Sequence, residues 1–306
     1  MKGPIEIRLG GYGPPTTTFS RALQAIGGRL EAEFGAGVAI RYVWNIMDFG
    51  YKAEDIIWLV ESGILTLGYQ SSSYFTDRVP EVGVLDLPFL FGTRDGARAA
   101  MDGKLGEVIG GKIEAAMNHR ILGYFENGFR HISNRLRPVR RPADLAGMRI
   151  RVLPSDIQVL TFELLGAVPL RMDLTEAIAR IRAGTIDAQE NPLANTVTYG
   201  VHKFHRFHTL SSHFYLSRPI FLHRPSFDAW PGELKSAIAA AIRNAVVRQR
   251  AEAVEEEAKA MAEIEREGCE VIELDAEGRA AFAAAVAPLR AEARRLYPPE
   301  LLALLP

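Results

Sequence analysis

The pattern of apolar and polar positions along the chain predicts an α/β fold. Short apolar runs typical of strands alternate with helical stretches that begin at capping residues and end at glycines. The predicted strands are Ile5–Leu9, Val38–Val43, Ile64–Tyr69, Arg120–Glu126, Met148–Val152 and Ile186–Gln189. The predicted helices are Thr17–Phe34, Lys52–Glu61, Arg94–Met117, one that begins at Ser155, and one that begins at Asp173 and ends at Gly184. Strands that alternate with helices are typical of α/β proteins.

The last third of the chain has a different pattern. From Pro231 to Glu267, a stretch dominated by Ala, Glu, Arg and Lys predicts one helix, which Gly268 ends. At ~1.5 Å per residue, it would be roughly 50 Å long. Such a helix could be a coiled-coil arm or a strut that packs along two lobes. Its apolar positions are rich in alanine and not strictly heptad, which favours the strut. A last helix is predicted near Glu277–Leu296.

Composition and charge exclude several classes of protein. Charged residues make up 24% of the 306 residues and leave a formal net charge of −1, without a long basic run. We therefore expect no nucleic-acid partner. Cys269 is the single cysteine, so an intrachain disulfide and a Cys-based zinc cluster are impossible. The N-terminus lacks the apolar core of a signal peptide, and no apolar run approaches the ~20 residues that cross a bilayer. We expect a soluble chain whose leader, if it is exported, is not part of this sequence.

The sequence does not contain the common catalytic motifs. It has no Gly-Xaa-Ser-Xaa-Gly elbow, no Walker loop and no His-Glu-Xaa-Xaa-His pair. Four histidines do cluster, namely His202, His205, His208 and His213. Lys203 and Arg206 lie between them and disfavour a cation, so we expect an exposed histidine face and no metal site. We also expect no cofactor.

Two arginines on one predicted strand are the first candidates for a binding site. Within Met148–Val152, the apolar residues share one face, and Arg149 and Arg151 share the other. Arg151 lies near the carboxyl end of the strand, where α/β sheets place their ligands. A guanidinium there can hold a carboxylate with two parallel hydrogen bonds, and the helix that begins at Ser155 adds backbone donors. The alternative is that both are solvated arginines on an edge strand.

A set of motifs in a fixed order gives the chain a family resemblance. They are Leu87-Pro88-Phe89-Leu90-Phe91, Asp102-Gly103-Lys104-Leu105-Gly106, Asn127-Gly128-Phe129-Arg130, Leu145-Ala146-Gly147-Met148-Arg149-Ile150-Arg151-Val152 and Asp187-Ala188-Gln189-Glu190-Asn191-Pro192-Leu193. Together they resemble the solute receptors of tripartite ATP-independent periplasmic (TRAP) transporters, the dicarboxylate-binding-protein family. The resemblance implies a two-lobed periplasmic-binding-protein fold with a long C-terminal helix spanning both lobes. We assign residues 1–127 and 217–257 to the first lobe, 128–216 and 258–306 to the second, and hinge strands near 126–128 and 214–218.

The resemblance also implies roles for single residues. Arg151 matches the family arginine that pairs with the ligand carboxylate, and Asn191 matches an asparagine that hydrogen-bonds the ligand. Arg130 matches a second arginine near the carboxylate in some members. Glu190 and Gln189 would position this network, and for Glu190 a purely structural partnership with a buried arginine is favoured over direct contact with the ligand.

Further residues are expected to line the site. The first lobe would contribute Tyr12, Thr16, Tyr69, Gln70 and Ser72, and the second lobe and hinge Phe129, Leu174, Phe214 and Tyr215. The aromatic residues of this set indicate a ligand less polar than a dicarboxylate. Arg218 is a candidate for a further cation near the hinge.

The predicted function is that of an extracytoplasmic receptor and not of an enzyme. The protein would be a periplasmic monomer that binds a small organic carboxylate in an interlobe cleft and delivers it to the membrane subunits of a TRAP transporter. One alternative is a carboxylate-acting α/β enzyme, such as a lyase or transferase, although no general base or nucleophile is recognisable near Arg151. Another is a cytoplasmic ligand sensor with the same fold.

Overall fold

The chain divides into two units, each made of several segments. The computed structural model describes residues 3–306. The first unit comprises the described residues up to Ser71, Ile109–Glu126 and Ser217–Val254. The second comprises Ser72–Val108, Asn127–Leu216 and Glu255–Pro306.

The secondary structure is mixed, as the hydrophobic pattern predicts. The strands are β1 (Ile5–Gly10), β2 (Val38–Val43), β3 (Leu67–Tyr69), β4 (His119–Asn134), β5 (Arg149–Val152), β6 (Val168–Arg171), β7 (Ala188–Asn191), β8 (Phe207–His223) and β9 (Glu270–Glu273). The helices are α1 (Thr18–Phe34), α2 (Ile56–Glu61), α3 (Arg94–Asp102), α4 (Lys104–Ala116), α5 (Asp156–Leu164), α6 (Leu174–Arg182), α7 (Leu193–Thr198), α8 (Arg224–Ala229), α9 (Gly232–Arg266), α10 (Ala276–Val286), α11 (Pro288–Leu296) and α12 (Pro299–Leu302).

The first unit is built on a mixed sheet. Strand β1 pairs in parallel with β2 and β3, and β3 pairs antiparallel with β8. Ile7 and Leu9 of β1 are fully buried and alternate with more exposed residues, which is the two-residue period of a half-buried strand. Helix α1 begins at its N-cap Thr17, whose side chain accepts a hydrogen bond from the Ser20 amide.

The strands of the second unit position the side chains of the candidate site. Strand β7 pairs antiparallel with β4 and in parallel with β5, and β5 also pairs in parallel with β6. Strand β9 runs parallel to the first part of β8. One face of these strands packs on a core that includes Ile132, Ile150, Phe162 and Ala188. Because β5 has a strand on each side, the edge-strand interpretation of Arg149 and Arg151 is wrong.

Several element boundaries differ from the prediction. The helix predicted over Arg94–Met117 is two helices, because Gly103 has an extended backbone and ends α3. The last predicted helix is also divided, at Pro288, which lacks the amide needed to continue α10. Strand β4 does not end at Glu126 but continues to Asn134, and β3 begins at Leu67 rather than Ile64.

The long helix near the C-terminus is confirmed. Helix α9 has 35 residues, of which those up to Val254 belong to the first unit and the remainder to the second. The side chain of Gln249 in α9 makes two hydrogen bonds to the backbone of Glu126. It accepts from the Glu126 amide at 2.9 Å and donates to the Glu126 carbonyl at 3.0 Å. Within residues 3–306, no helix has the length and apolar character needed to cross a membrane.

Residues 72–108 cluster with the second unit, whereas the predicted first lobe included them. The physical reason is a buried hydrogen-bond network. Ser73 donates to Asp86 at 2.7 Å, and Gln158 of α5 donates to Ser73 at 3.1 Å and to Asp86 at 3.3 Å. This network joins the segment that begins at Ser72 to the N-terminal half of α5.

Candidate functional site

Arg151 lies at the carboxyl end of β5 and is only 2% exposed. Its Nε donates to the Met172 carbonyl at 3.1 Å, and its Nη2 donates to the Tyr74 hydroxyl oxygen at 3.0 Å. The same hydroxyl oxygen accepts from the Leu174 amide at 3.2 Å, at the start of α6. The Met172 carbonyl and the Tyr74 hydroxyl, which the Leu174 amide holds in turn, therefore fix the plane of the guanidinium.

The charge of Arg151 has no counter-charge among residues 3–306. No carboxylate among the described residues forms an ion pair with it, and its Nη1 donates to no described residue. A guanidinium stays charged in any protein environment, and a buried charge costs several kcal/mol unless it is paired. The site therefore fits an anion with two acceptor atoms, such as a carboxylate.

Arg130 is equally buried, at 1% exposure, but its charge is neutralised. Its Nε and Nη2 both donate to the Glu190 carboxylate, and Nη2 also donates to the Glu190 carbonyl at 2.8 Å. His213 lies 3.8 Å from the same carboxylate, and burial holds the pKa of His213 well below its usual value. The histidine is therefore neutral, and Arg130 and Glu190 form a closed ion pair.

Strand register separates the two arginines. Directly paired residues share a sheet face, and successive residues alternate. Arg151 pairs with Gln189, which places Gln189 and Asn191 on its face. Glu190 points to the other face, where Arg130 reaches it. The structure thus brings Arg151 and Asn191 together on one face and does not bring Arg130 and Glu190 to them.

Arg149, on the same strand face as Arg151, is also paired with a carboxylate. Its Nε and Nη2 donate to the two carboxylate oxygens of Asp187, each at 3.0 Å, and Arg135 adds a third bond to Asp187 at 3.0 Å. The hydrogen bonds from Arg149 hold the pKa of Asp187 well below its usual value. This arginine is an exposed structural cation.

Asn191 and Phe129 extend the Arg151 face. The side-chain oxygen Oδ1 of Asn191 accepts a hydrogen bond from the side-chain Nδ2 of Asn195 at 3.1 Å. The Nδ2 of Asn191 itself donates to no described residue. Phe129 lies two residues before His131, the register partner of Asn191, and so faces the same side. Its ring is half-buried and packs edge-on against Tyr215, with 5.2 Å between centroids. These two side chains supply a donor and an apolar wall.

Three residues that were predicted to line the site lie in different parts of the second unit. Leu174 lies beside Arg151, because its amide shares the Tyr74 hydroxyl. Ser72 belongs to this unit and not to the first, and its buried hydroxyl has no hydrogen-bond partner among the described residues. Phe214 belongs to the hydrophobic core with Ile150 and packs edge-on against Phe162, so the structure places it in the core rather than with Arg151.

The residues predicted from the first unit form a cluster of their own. Tyr12, Tyr69 and Phe19 surround Arg218, whose guanidinium carbon lies 3.9 Å from the Phe19 ring centroid and 5.2 Å from that of Tyr12. Gln70 is bound at both ends, since it donates to the Ala53 carbonyl at 2.7 Å and accepts from the Ser71 amide at 2.8 Å. That side chain is engaged within its own unit.

The expected exposed histidine face is wrong. His202, His205, His208 and His213 are all buried. Burial lowers the pKa of His205 to about 3 and that of His208 to about 4, so both are neutral. His205 bonds to the Ser133 hydroxyl at 2.9 Å, and His208 donates to the His205 carbonyl at 2.9 Å.

Sequence reasoning missed Tyr74, although it included the neighbouring Ser72. The available signal was an aromatic residue with a hydroxyl in the polar stretch Gln70–Thr76, directly after a buried strand. Tyr74 and Arg151 are far apart in sequence, and their segments are brought together by tertiary contacts such as the buried Asp86 network and the hydrogen bond from Thr76 to the Pro154 carbonyl.

The fold, together with a buried arginine at a strand end that suits an anion, is that of a solute-binding protein. The chain belongs to the family described as bacterial extracellular solute-binding protein, family 7 (DctP), whose model matches residues 50–295. This membership confirms the family resemblance of the motifs. The protein is a solute receptor and not an enzyme.

Individual relatives agree with this membership. The chain is 32% identical over 276 residues to a solute-binding protein of Verminephrobacter eiseniae, covering 90% of this chain and 81% of the relative. It is 31% identical to the 2,3-diketo-L-gulonate-binding periplasmic protein YiaO of Escherichia coli, covering 72% and 67%. The crystal structure of the sugar acid binding protein DctPAm from Advenella mimigardefordensis, in complex with galactonate, matches with a TM-score of 0.93 at 25% identity, covering 98% of this chain and 96% of that one.

Proposed function

We propose that this protein is the periplasmic receptor of a TRAP-type transporter and binds a small organic acid through Arg151 and Asn191. The observation that carries the proposal is the buried guanidinium of Arg151, whose hydrogen-bond partners within residues 3–306 are neutral. A carboxylate would take two hydrogen bonds from its nitrogens, and the Asn191 amide would donate a third. Each charged hydrogen bond contributes roughly 1.5–3 kcal/mol, so this set plus apolar burial reaches the ~8 kcal/mol of micromolar affinity.

The pairing of the other arginines supports a ligand with one carboxylate. The Glu190 carboxylate neutralises Arg130, and the Asp187 carboxylate neutralises Arg149. A second ligand carboxylate would therefore find no unpaired, buried guanidinium in the described part of the second unit. The half-buried Phe129 offers a ring to the carbon skeleton instead. The relative named for 2,3-diketo-L-gulonate and the sugar acid binding protein solved in complex with galactonate support a sugar-acid ligand. We infer a polyhydroxy monocarboxylate rather than a dicarboxylate.

The proposal also covers the rest of the predicted arrangement. Tyr12, Tyr69 and Gln70 of the first unit would close the site in a cleft between lobes, and the strands near 126–128 and 214–218 would act as hinges. The loaded monomer would then deliver the acid to the membrane subunits. Uptake into vesicles that contain those subunits, measured with and without this protein, tests the delivery step.

Calorimetric titration with galactonate and with succinate tests the binding step. We expect galactonate, or another acid found by thermal-shift screening, to bind the wild type, and Arg151→Met to weaken that binding about 100-fold or more. Arg149→Met is the matched control on the same strand face, and its affinity should stay within about threefold, because Asp187 already occupies Arg149.

A second substitution separates charge from geometry. Arg151→Lys keeps the charge but cannot form the planar pair of bonds, so it should also lose most of the affinity. Full affinity of Arg151→Met would remove this residue from the site and contradict the proposal. Tighter binding of succinate than of every monocarboxylate would contradict the ligand class.

A further inference from the structure

Three potential metal ligands meet at the end of α9. His202 lies in the turn Val201–Lys203 after α7, Glu263 lies on the last turn of α9, and Glu267 follows that helix. One ligand atom from each of the three lies within 4.8 Å of the other two. All three residues belong to the second unit, and none of them has a part in the proposed acid site.

His202 gives this cluster its significance. The residue is only 4% exposed, and neither ring nitrogen has a hydrogen-bond partner among the described residues. Buried polar atoms are nearly always paired, because an unpaired one costs about 1–3 kcal/mol. One ring nitrogen instead lies within 4.8 Å of an oxygen of each carboxylate, too far for an ion pair but near enough that a small rotation of the glutamate side chains would let the three groups share a metal ion. Zinc–ligand bonds of ~2.0–2.2 Å leave two ligands of one ion about 3–4 Å apart.

The two glutamates also need a positive charge between them. They are four residues apart at the C-terminal end of a helix, where like charges repel and where the helix dipole favours cations. Arg266 pairs with Glu263, but its side chain is 74% exposed, and an exposed pair is easily exchanged.

The other nearby cations do not fill the cluster. Lys203 is exposed, and the guanidinium of the exposed Arg206 lies over the Phe207 ring, with 5.8 Å to its centroid. Among the described residues, neither forms an ion pair with Glu263 or Glu267, whose ion pair is the one between Glu263 and Arg266.

We propose that His202, Glu263 and Glu267 bind one divalent transition-metal ion, with Zn²⁺ as the representative. One imidazole and two carboxylates are ligands that Zn²⁺ accepts, and water would complete a four-coordinate site. The ion joins the turn after α7 to the end of α9, where Leu193, Ala260 and Ile264 form a small core. Cys269 holds the same turn, because its thiol donates to the His202 carbonyl at 3.3 Å. The site would be a structural cross-link of the second unit.

The test uses the full chain without an affinity tag, stripped of metal with a chelator. Titration with ZnCl2 should show one ion per chain in calorimetry. It should also raise the melting temperature by about 5 °C or more at a hundredfold excess over Kd, because the ion binds the folded chain only. Co²⁺ in place of Zn²⁺ should give visible absorption bands that His202→Gln abolishes.

Exposed-residue variants keep the test independent of folding. Glu267→Gln should weaken Zn²⁺ binding at least about 10-fold, and Glu265→Gln, on the same helical turn but outside the cluster, should bind as the wild type does. The melting temperatures in chelator should be the same for both. Wild-type Zn²⁺ affinity in Glu267→Gln would overturn the proposal. An equal thermal shift with Mg²⁺ would do the same, since Mg²⁺ does not seek an imidazole ligand.

Discussion

Arg130 and Arg151 lie on neighbouring parts of one sheet and are almost equally buried, yet their surroundings are opposite. Arg130 donates to both oxygens of the Glu190 carboxylate, so its charge is neutralised within the fold. In the described part of the chain, Arg151 donates to the Met172 carbonyl and the Tyr74 hydroxyl and to no carboxylate. The first arginine can be understood from the protein alone, whereas the second is the one that we propose binds an anion.

The difference shows that burial of an arginine does not by itself identify a binding site. A buried ion pair is costly to break, since either partner left alone is an unpaired charge in a medium of low dielectric constant. A buried arginine without a counter-charge already bears that cost. Its removal therefore affects ligand binding far more than folding, and this separation can be measured.

Loss of the Arg130–Glu190 ion pair should have the largest effect on stability. Arg130→Met leaves the fully buried Glu190 carboxylate without its cation, so we expect the free energy of unfolding to fall by about 3–5 kcal/mol. Urea denaturation of the ligand-free protein measures it.

Arg151→Met is the comparison variant in the same experiment. It should change the free energy of unfolding by at most about 1 kcal/mol, because the two lost hydrogen bonds are offset by removal of the unpaired charge. Equal losses in the two variants would show that Arg151 is as structural as Arg130 and would end the distinction.

Asp86 extends the comparison of the two arginines to a buried group whose charge can be neutralised by protonation. Burial raises the pKa of Asp86 to about 6, and hydrogen bonds from Ser73 and Gln158 only partly offset this effect. Between about pH 4 and 6 the folded chain therefore binds more protons than the unfolded chain, and the contribution of Asp86 to stability falls as the pH rises. Asp86→Asn should match the wild type near pH 4 and exceed it above pH 6 by up to about 3 kcal/mol.

Denaturation of both proteins in urea from pH 4 to pH 8 measures this difference. The buried His205 and His208 destabilise both proteins in acid, because their pKa values are lowered, so their contribution cancels when the two curves are subtracted. A difference that stays constant with pH would show that the Asp86 carboxyl has the same pKa in both states.

The sequence was sufficient for the elements that rest on local periodicity. Helix α9 follows from a long stretch of helix-forming residues, and the N-cap of α6 follows from Asp173, which accepts from the Thr175 amide. Boundaries failed where one residue decides, as at Gly103 and Pro288. A strand such as β4 continues through the polar Glu126 because Gln249, distant in sequence, bonds to its backbone.

For the candidate site, alternation along β5 was sufficient to separate Arg151 from its apolar neighbours. The partner of each arginine was not predictable in the same way, because it depends on strand register. One step along β7 separates Glu190, which closes Arg130, from Asn191, which shares the face of Arg151. Tyr74 was missed because the bond to Arg151 depends on packing between segments distant in sequence.

Tyr74→Phe should have the smallest effect and tests whether the orientation of Arg151 matters. The change removes the oxygen that accepts from Arg151 at 3.0 Å and from the Leu174 amide at 3.2 Å, and keeps the ring. We expect ligand affinity to fall about 3- to 10-fold, since the guanidinium keeps its charge but loses one of its two fixed points. Tyr51→Phe, a partly exposed tyrosine in the first unit, is the control and should leave affinity unchanged. Calorimetry of both variants decides the question. If Tyr74→Phe binds as tightly as the wild type, the Met172 carbonyl alone positions the guanidinium, and the contrast with Arg130 rests on charge and not on geometry.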